Sequence, residues 1–152
     1  MLMLSSLWIM MLATSCNSDV VYEKYFEVPD NKWDYDQVIN FEIDIENAEQ
    51  VYDLYVNIRH TNDFAYSNLW MMMYFTPFEG DGTQQRMEFK LAKPDGEWLG
   101  NGFGSTITHE IRVRDGFKFK QKGKVTFSLQ HDMRINPVPA LSHVGLRLEL
   151  PK

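Results

Sequence analysis

Residues able to do covalent or metal chemistry are few in this chain and poorly spaced for it. Cys16 is the only cysteine. The four histidines, His60, His109, His131 and His143, show no H-E-x-x-H or comparable ligand spacing, and no G-x-S-x-G nucleophile elbow occurs. His109-Glu110 and His131-Asp132 are adjacent pairs, but neighbours on a strand point to opposite faces and do not cooperate. Asp30, Asp34 and Asp36 surround Trp33 without the D-x-D-x-D-G order of a calcium loop. Gly100-Asn101-Gly102-Phe103-Gly104 has the wrong spacing for a dinucleotide loop and is read as a turn needing positive φ. Exposed carboxylates abound, yet no position singles out a glycosidase pair. The expectation is a protein with no enzymatic activity, metal or cofactor.

Binding is better supported. Trp33, Tyr35, Tyr66, Trp70 and Trp98 fall in or beside expected loops. Aromatic rings there either plug the ends of a β-domain, stack on sugars or anchor a protein interface. Trp98 is the strongest binding candidate, because glycines at 96, 100, 102 and 104 free the backbone around it.

The elements that must position these side chains are strands. Alternation with period two runs nearly throughout, and no long segment has helical period. Ile39, Phe41, Ile43 and Ile45 share one face with polar residues between them; Tyr52, Leu54, Val56 and Ile58 do the same after a turn at 47–50. The two segments read as an antiparallel pair. Residues 69–75 are apolar on both faces, as in a central strand. Gly80-Asp81-Gly82 is a turn before Met87, Phe89 and Leu91. Around Arg114-Asp115-Gly116 a three-residue hairpin loop is expected, pairing Val113 with Phe117 and Ile111 with Phe119, with Arg112 opposite Lys118. Val125, Phe127, Leu129 and His131 line one more strand, and Val144, Leu146, Leu148 and Leu150 the last, with a loop at 137–139 between. About eight such strands predict an all-β fold, a single antiparallel β-sandwich of jelly-roll type, with an open-edged barrel as the alternative.

The N-terminus differs from the rest. Residues 1–18 carry no charge and include the apolar run Leu7-Trp8-Ile9-Met10-Met11-Leu12. That run is shorter than the ~20 residues of a membrane-spanning helix, and it ends in Ala13-Thr14-Ser15 before Cys16. This is the pattern of a lipoprotein signal, with Leu12 four positions before the cysteine rather than the usual three. It predicts a signal peptide over 1–15, a lipidated Cys16 with a tether to residue 21, and a β-sandwich over 22–152. No Lys or Arg precedes the apolar run, which suggests a true start codon upstream of Met1. From Cys16 onward the chain is long enough to bury roughly two thirds of its unfolded surface, as one core requires.

The net charge of −6 argues against nucleic acid as a partner. Its distribution is uneven: residues 16–79 carry 13 acids and 3 bases, residues 80–152 carry 8 acids and 12 bases. In one interleaved sheet domain this becomes cross-strand charge pairing; otherwise it leaves a basic patch for an anionic ligand.

The leader ending at Cys16, the segment Asn57 to Leu69, the stretch Pro94 to Gly104, and His131-Asp132-Met133-Arg134 with Val144-Gly145-Leu146-Arg147 together resemble the GldH-type gliding motility lipoproteins of the Bacteroidetes. The resemblance covers essentially the whole chain after the leader. It implies an outer-membrane lipoprotein held by lipid on Cys16, on a periplasmic or surface face, with envelope protein partners in the gliding and type IX secretion-associated machinery. It supplies no catalytic residue. Arg59, Asn62, Tyr66, Trp98 and Arg134 lie in the resembling segments and are the candidate partner-binding residues. The alternative is a carbohydrate-binding surface lipoprotein presenting its aromatic rim to glycans.

Overall fold

The computed structural model describes residues 19–152. Strand β1 spans Val20–Glu27, and a 3-10 turn at Pro29–Asn31 leads into the short β2, Lys32–Trp33. Then come β3 (Ile39–Ile45), β4 (Tyr52–Thr61), β5 (Asn68–Thr76), β6 (Thr83–Lys90), β7 (Asn101–Phe103), β8 (Thr106–Phe117), β9 (Gly123–His131), β10 (Val138–Pro139) and β11 (Leu141–Glu149). One sheet has the order β1-β11-β4-β8-β7, the other β3-β9-β5-β6, and β2 pairs with β10 as a small ribbon.

Eight of these strands are long, and their pairing is nested: β1 with β11, β3 with β9, β4 with β8, β5 with β6, every pair antiparallel. A long hairpin folded over on itself gives this order, which is that of a jelly roll. Its core is the set of alternating inward residues. In β3, Ile39, Phe41, Ile43 and Ile45 are buried and the residues between them exposed. Leu69, Phe89 and Leu129 of the same sheet are buried beside them, and Leu54, Val56, Ile58, Leu146 and Leu148 of the facing sheet are buried as well.

The nested order corrects two local expectations. β3 and β4 do not pair with each other; they lie in different sheets, because successive strands of a jelly roll cross between layers and find partners far along the chain. Nor do Arg114-Asp115-Gly116 close a hairpin. β8 runs on to Phe117, with register shifts opposite Tyr52, Leu54 and Tyr55, so that Phe117 pairs with Tyr52 and Arg112 with Tyr55. The positive φ of Gly116 (59°) forms a bulge. Buried Asp53 stabilises it, its carboxylate accepting the Gly116 N–H at 2.7 Å and the Arg112 guanidinium at 3.2 Å. Arg112 thus meets acids, not Lys118, which lies 4.0 Å from Glu49.

Nesting also pairs some of the unevenly distributed charges. β1–β11 and β3–β9 each join an early, acidic strand to a late, less acidic one, as in Lys124–Glu42, and in β4–β8, where each strand carries as many bases as acids, Arg112 of the late strand meets Asp53 of the early one. Other pairs, such as Arg147–Glu110, stay within the second half. β1 starts at Val20, two residues ahead of the expected boundary, and the Leu150 N–H donates to the Asp19 carbonyl at 2.8 Å.

Register defines two ends. Val20, Glu149, Asp53 and the β8 bulge form one row at the end where the described chain begins, here called proximal. The β4–β5 turn, the residues after β6 and the β7–β8 turn lie at the opposite, distal end. Among the described residues no helix is long and apolar enough to cross a membrane.

Candidate functional site

The distal end is built on a pair of buried histidines. His60 closes the inward series Leu54, Val56, Ile58 on β4, and His109 lies between Ile107 and Ile111 on β8, so both imidazoles face inward. Their Nε2 atoms are 2.9 Å apart and the rings are stacked at 5.0 Å. His60 Nδ1 lies 2.8 Å from the Thr61 carbonyl oxygen, which accepts only, so Nδ1 carries the proton. His60 Nε2 is then the acceptor and His109 Nε2–H the donor.

Burial, and behind it the charge of His60, pushes His109 down to about 4. Burial also pushes His60 down, opposed by its bond to the Thr61 carbonyl. The pair is neutral at pH 7 and acts as a polar rivet between two strands. Among the described residues no cluster of three or more His, Cys, Asp or Glu side chains is arranged to hold a metal ion.

Around this rivet the segments from the sequence reading converge. Phe64 is buried 4.9 Å from the His60 ring, Tyr66 meets Phe64 edge-on at 5.6 Å, and Trp98 meets His60 edge-on at 4.4 Å. Trp98 is half-buried: its indole closes the distal end of the core, and only its outer portion is left for a partner. Gly100 permits this, for a reason other than the positive φ expected of the loop. A Cβ there would sit 2.5 Å from the Thr108 carbonyl oxygen and 2.8 Å from His109 Nδ1. In the 100–104 run only Gly104 has positive φ, 62°, at the β7–β8 turn.

Asn62 is exposed and its N–H donates to the Ser105 carbonyl at 3.2 Å, tying the β4–β5 turn to the β7–β8 turn. Asn62, Tyr66 and Trp98 therefore share one end. Arg59 is on the outer face of the five-stranded sheet, its guanidinium 4.1 Å above the Tyr25 ring. Arg134 is exposed beyond β9, on the other sheet's side of the same end. Trp33 is fully buried, edge-on to His131 at 5.4 Å, and is a plug. Trp70 lies under the Arg86 guanidinium at 4.0 Å. Asp34 spends its carboxylate on the Asp36 N–H at 2.9 Å. The histidine neighbours do split between faces: Glu110 pairs with Arg147 and Asp132 with Arg86, both outside.

Sequence reasoning missed the outermost residues of this end. Phe103 is 92% exposed on β7, an edge strand of its sheet, and Leu99 is 53% exposed beside it. The signal was available: a phenylalanine between two glycines at a hairpin turn has no core to enter. The histidine pair, 49 residues apart in sequence, was legible only as two histidines on otherwise apolar strand faces. Cys16 and the 1–15 leader lie outside the described residues.

An antiparallel jelly roll with an aromatic distal rim defines the class of protein as a small all-β domain. A family model described as GldH lipoprotein matches residues 20–148. The gliding motility lipoprotein GldH homolog of Christiangramia forsetii is 34% identical over 145 residues, covering 91% of this chain and 88% of the relative. The gliding motility lipoprotein GldH of Flavobacterium johnsoniae is 29% identical over 143 residues, covering 91% and 89%. The chain belongs to the GldH lipoprotein family.

Proposed function

We propose that this protein is an outer-membrane lipoprotein, anchored through lipid on Cys16, that works as a non-enzymatic component of gliding motility and the type IX secretion-associated envelope machinery. The family match and the names of both relatives support the motility assignment. The observation that carries the molecular role is the separation of the ends: the described chain starts at the proximal end, while Asn62, Tyr66, Trp98, Leu99 and Phe103 gather at the other. A lipid on Cys16 would hold the proximal end at the bilayer and leave the distal rim facing away from it. Exposed apolar side chains beside a sheet edge suit docking of a partner chain.

Recovery of partners tests this reading. Detergent-solubilised envelopes should yield stoichiometric protein partners with the intact chain, and Phe103→Asp should lose them while keeping the fold. Binding to glycan arrays without protein partners would favour glycan capture instead. Cys16→Ala should stop signal cleavage and alter envelope partitioning; an unmodified Cys16 in the membrane fraction of wild-type cells would contradict the anchor.

A further inference from the structure

A cavity of about 590 Å³ opens between the two sheets at the proximal end, a size within the roughly 300–1,000 Å³ range of small-ligand sites. Leu54, Phe75, Phe117, Phe119 and Phe127 line its interior. Past the β8 bulge Phe117 pairs with Tyr52, and Phe119 after it packs against Phe75 and Phe127 of the opposite sheet, with ring centroids 6.2 and 6.5 Å away, so these rings form the cavity's floor. The connections at 77–82 and 118–122 flank the opening.

Three cations line the opening: Arg114, Lys118 and Lys120, all exposed. Arg114 is steadied by Gln85, whose Oε1 accepts from Nη2 at 2.8 Å. Lys118 has only the distant Glu49, and Lys120 makes no ion pair among the described residues. Glu79 and Asp81 are on the same rim, so the opening retains an excess of one positive charge. An apolar interior behind a cationic mouth suits a ligand with a hydrocarbon tail and an anionic head.

The end at which the cavity opens indicates where such a ligand would come from. Asp19 is held to Leu150 beside β1, and the three residues from Cys16 to Asp19 span at most ~11 Å. Strand β8 is three strands from β1 in the sheet order, or ~14 Å across the sheet. A lipid on Cys16 would therefore hold the cavity mouth close to the bilayer surface. The geometry points to an acyl-chain site: the cavity takes one acyl chain of an anionic membrane lipid, and Arg114, Lys118 and Lys120 hold its head group. This rests on the anchored reading of Cys16.

The test uses the intact, processed lipoprotein in phosphatidylcholine vesicles containing phosphatidylglycerol with a diazirine in its acyl chain. After irradiation and digestion, adducts are expected on the peptides carrying Phe75, Phe117 and Phe119. Lys118→Glu and Lys120→Glu, at exposed positions that leave the core alone, should each lower those adducts by about fivefold while the protein still floats with the vesicles. The same diazirine on phosphatidylcholine should leave the cavity peptides at background. Adducts confined to the N-terminal peptide, equal labelling by the neutral lipid, or labelling by free diazirine palmitate alone would overturn the site. Protein that floats with an empty cavity overturns this inference only; protein that does not float removes the anchor and the inference together.

Discussion

At the distal end of the sandwich the space between the sheets is filled: Trp98, Phe64 and the His60–His109 pair close it, and the apolar residues left outside, Phe103 and Leu99, project from a turn and a loop. At the proximal end the same two sheets stand open over a phenylalanine-lined cavity with cations at its mouth. One sandwich of alternating strands thus closes itself at one end with polar hydrogen bonding and leaves apolar surface inside at the other. The difference lies in two short sequences. Gly100 lets the loop bearing Trp98 lie against His109, and at the other end the chain after the Asp115-Gly116 bulge places Phe117 and Phe119 on the cavity wall with the exposed Lys118 and Lys120 between and beyond them.

The largest effects should come from the filled middle of the core. Phe89→Ala and Phe127→Ala, at side chains 2% and 4% exposed, should each cost roughly 3–5 kcal/mol in urea unfolding of the chain beginning after Cys16. Phe119→Ala, against a wall that already has space behind it, should cost about half as much; equal losses would mean that the proximal end is as closely packed as the rest.

Next is the distal seal. Trp98→Ala should lower stability by about 2–3 kcal/mol, because the indole is only half-buried. Partner recovery should fall as well if its outer portion is part of the interface. Gly100→Ala should cost about 1–3 kcal/mol, since its Cβ meets backbone and a buried ring. Stability unchanged within about 0.5 kcal/mol would show that the loop does not rest on His109.

A smaller effect depends on pH. His60, His109 and His131 all titrate below the ordinary value of 6.5 in the fold, His109 at about 4, each chiefly through burial. Between pH 6.5 and about 4 the unfolded chain therefore binds more protons, so the stabilisation present above 6.5 is lost as pH falls through that window. The urea midpoint should drop from pH 7 to pH 5 by an amount worth on the order of 1–2 kcal/mol. His109→Gln should flatten that dependence, and an unaltered slope would mean that the pair does not share a proton as described.

The fold was legible where alternation carried it. Ile39 to Ile45 and Val125 to His131 are strands with the expected faces inward, and their number pointed to a jelly roll. Pairing was not legible, because a nested fold joins strands such as β1 and β11 across more than a hundred residues. Asp115-Gly116 fits both a hairpin loop and a bulge, and what decides is the buried Asp53 carboxylate on another strand. At the candidate site, the segments Asn57 to Leu69 and Pro94 to Gly104 come together at the distal end. The outermost of their side chains was hidden because exposure depends on which rings reach the core: Trp98 reaches His60, and Phe103, five residues on, does not.

The central claim is that the ends divide the work, distal for protein and proximal for membrane. It is tested most directly by photo-crosslinking in cells with p-benzoyl-phenylalanine in place of Phe103, 92% exposed, or of Phe78, 59% exposed at the cavity mouth. The account predicts a discrete protein adduct from position 103 and lipid adducts without protein from position 78. A protein adduct from position 78 with none from position 103 would contradict it.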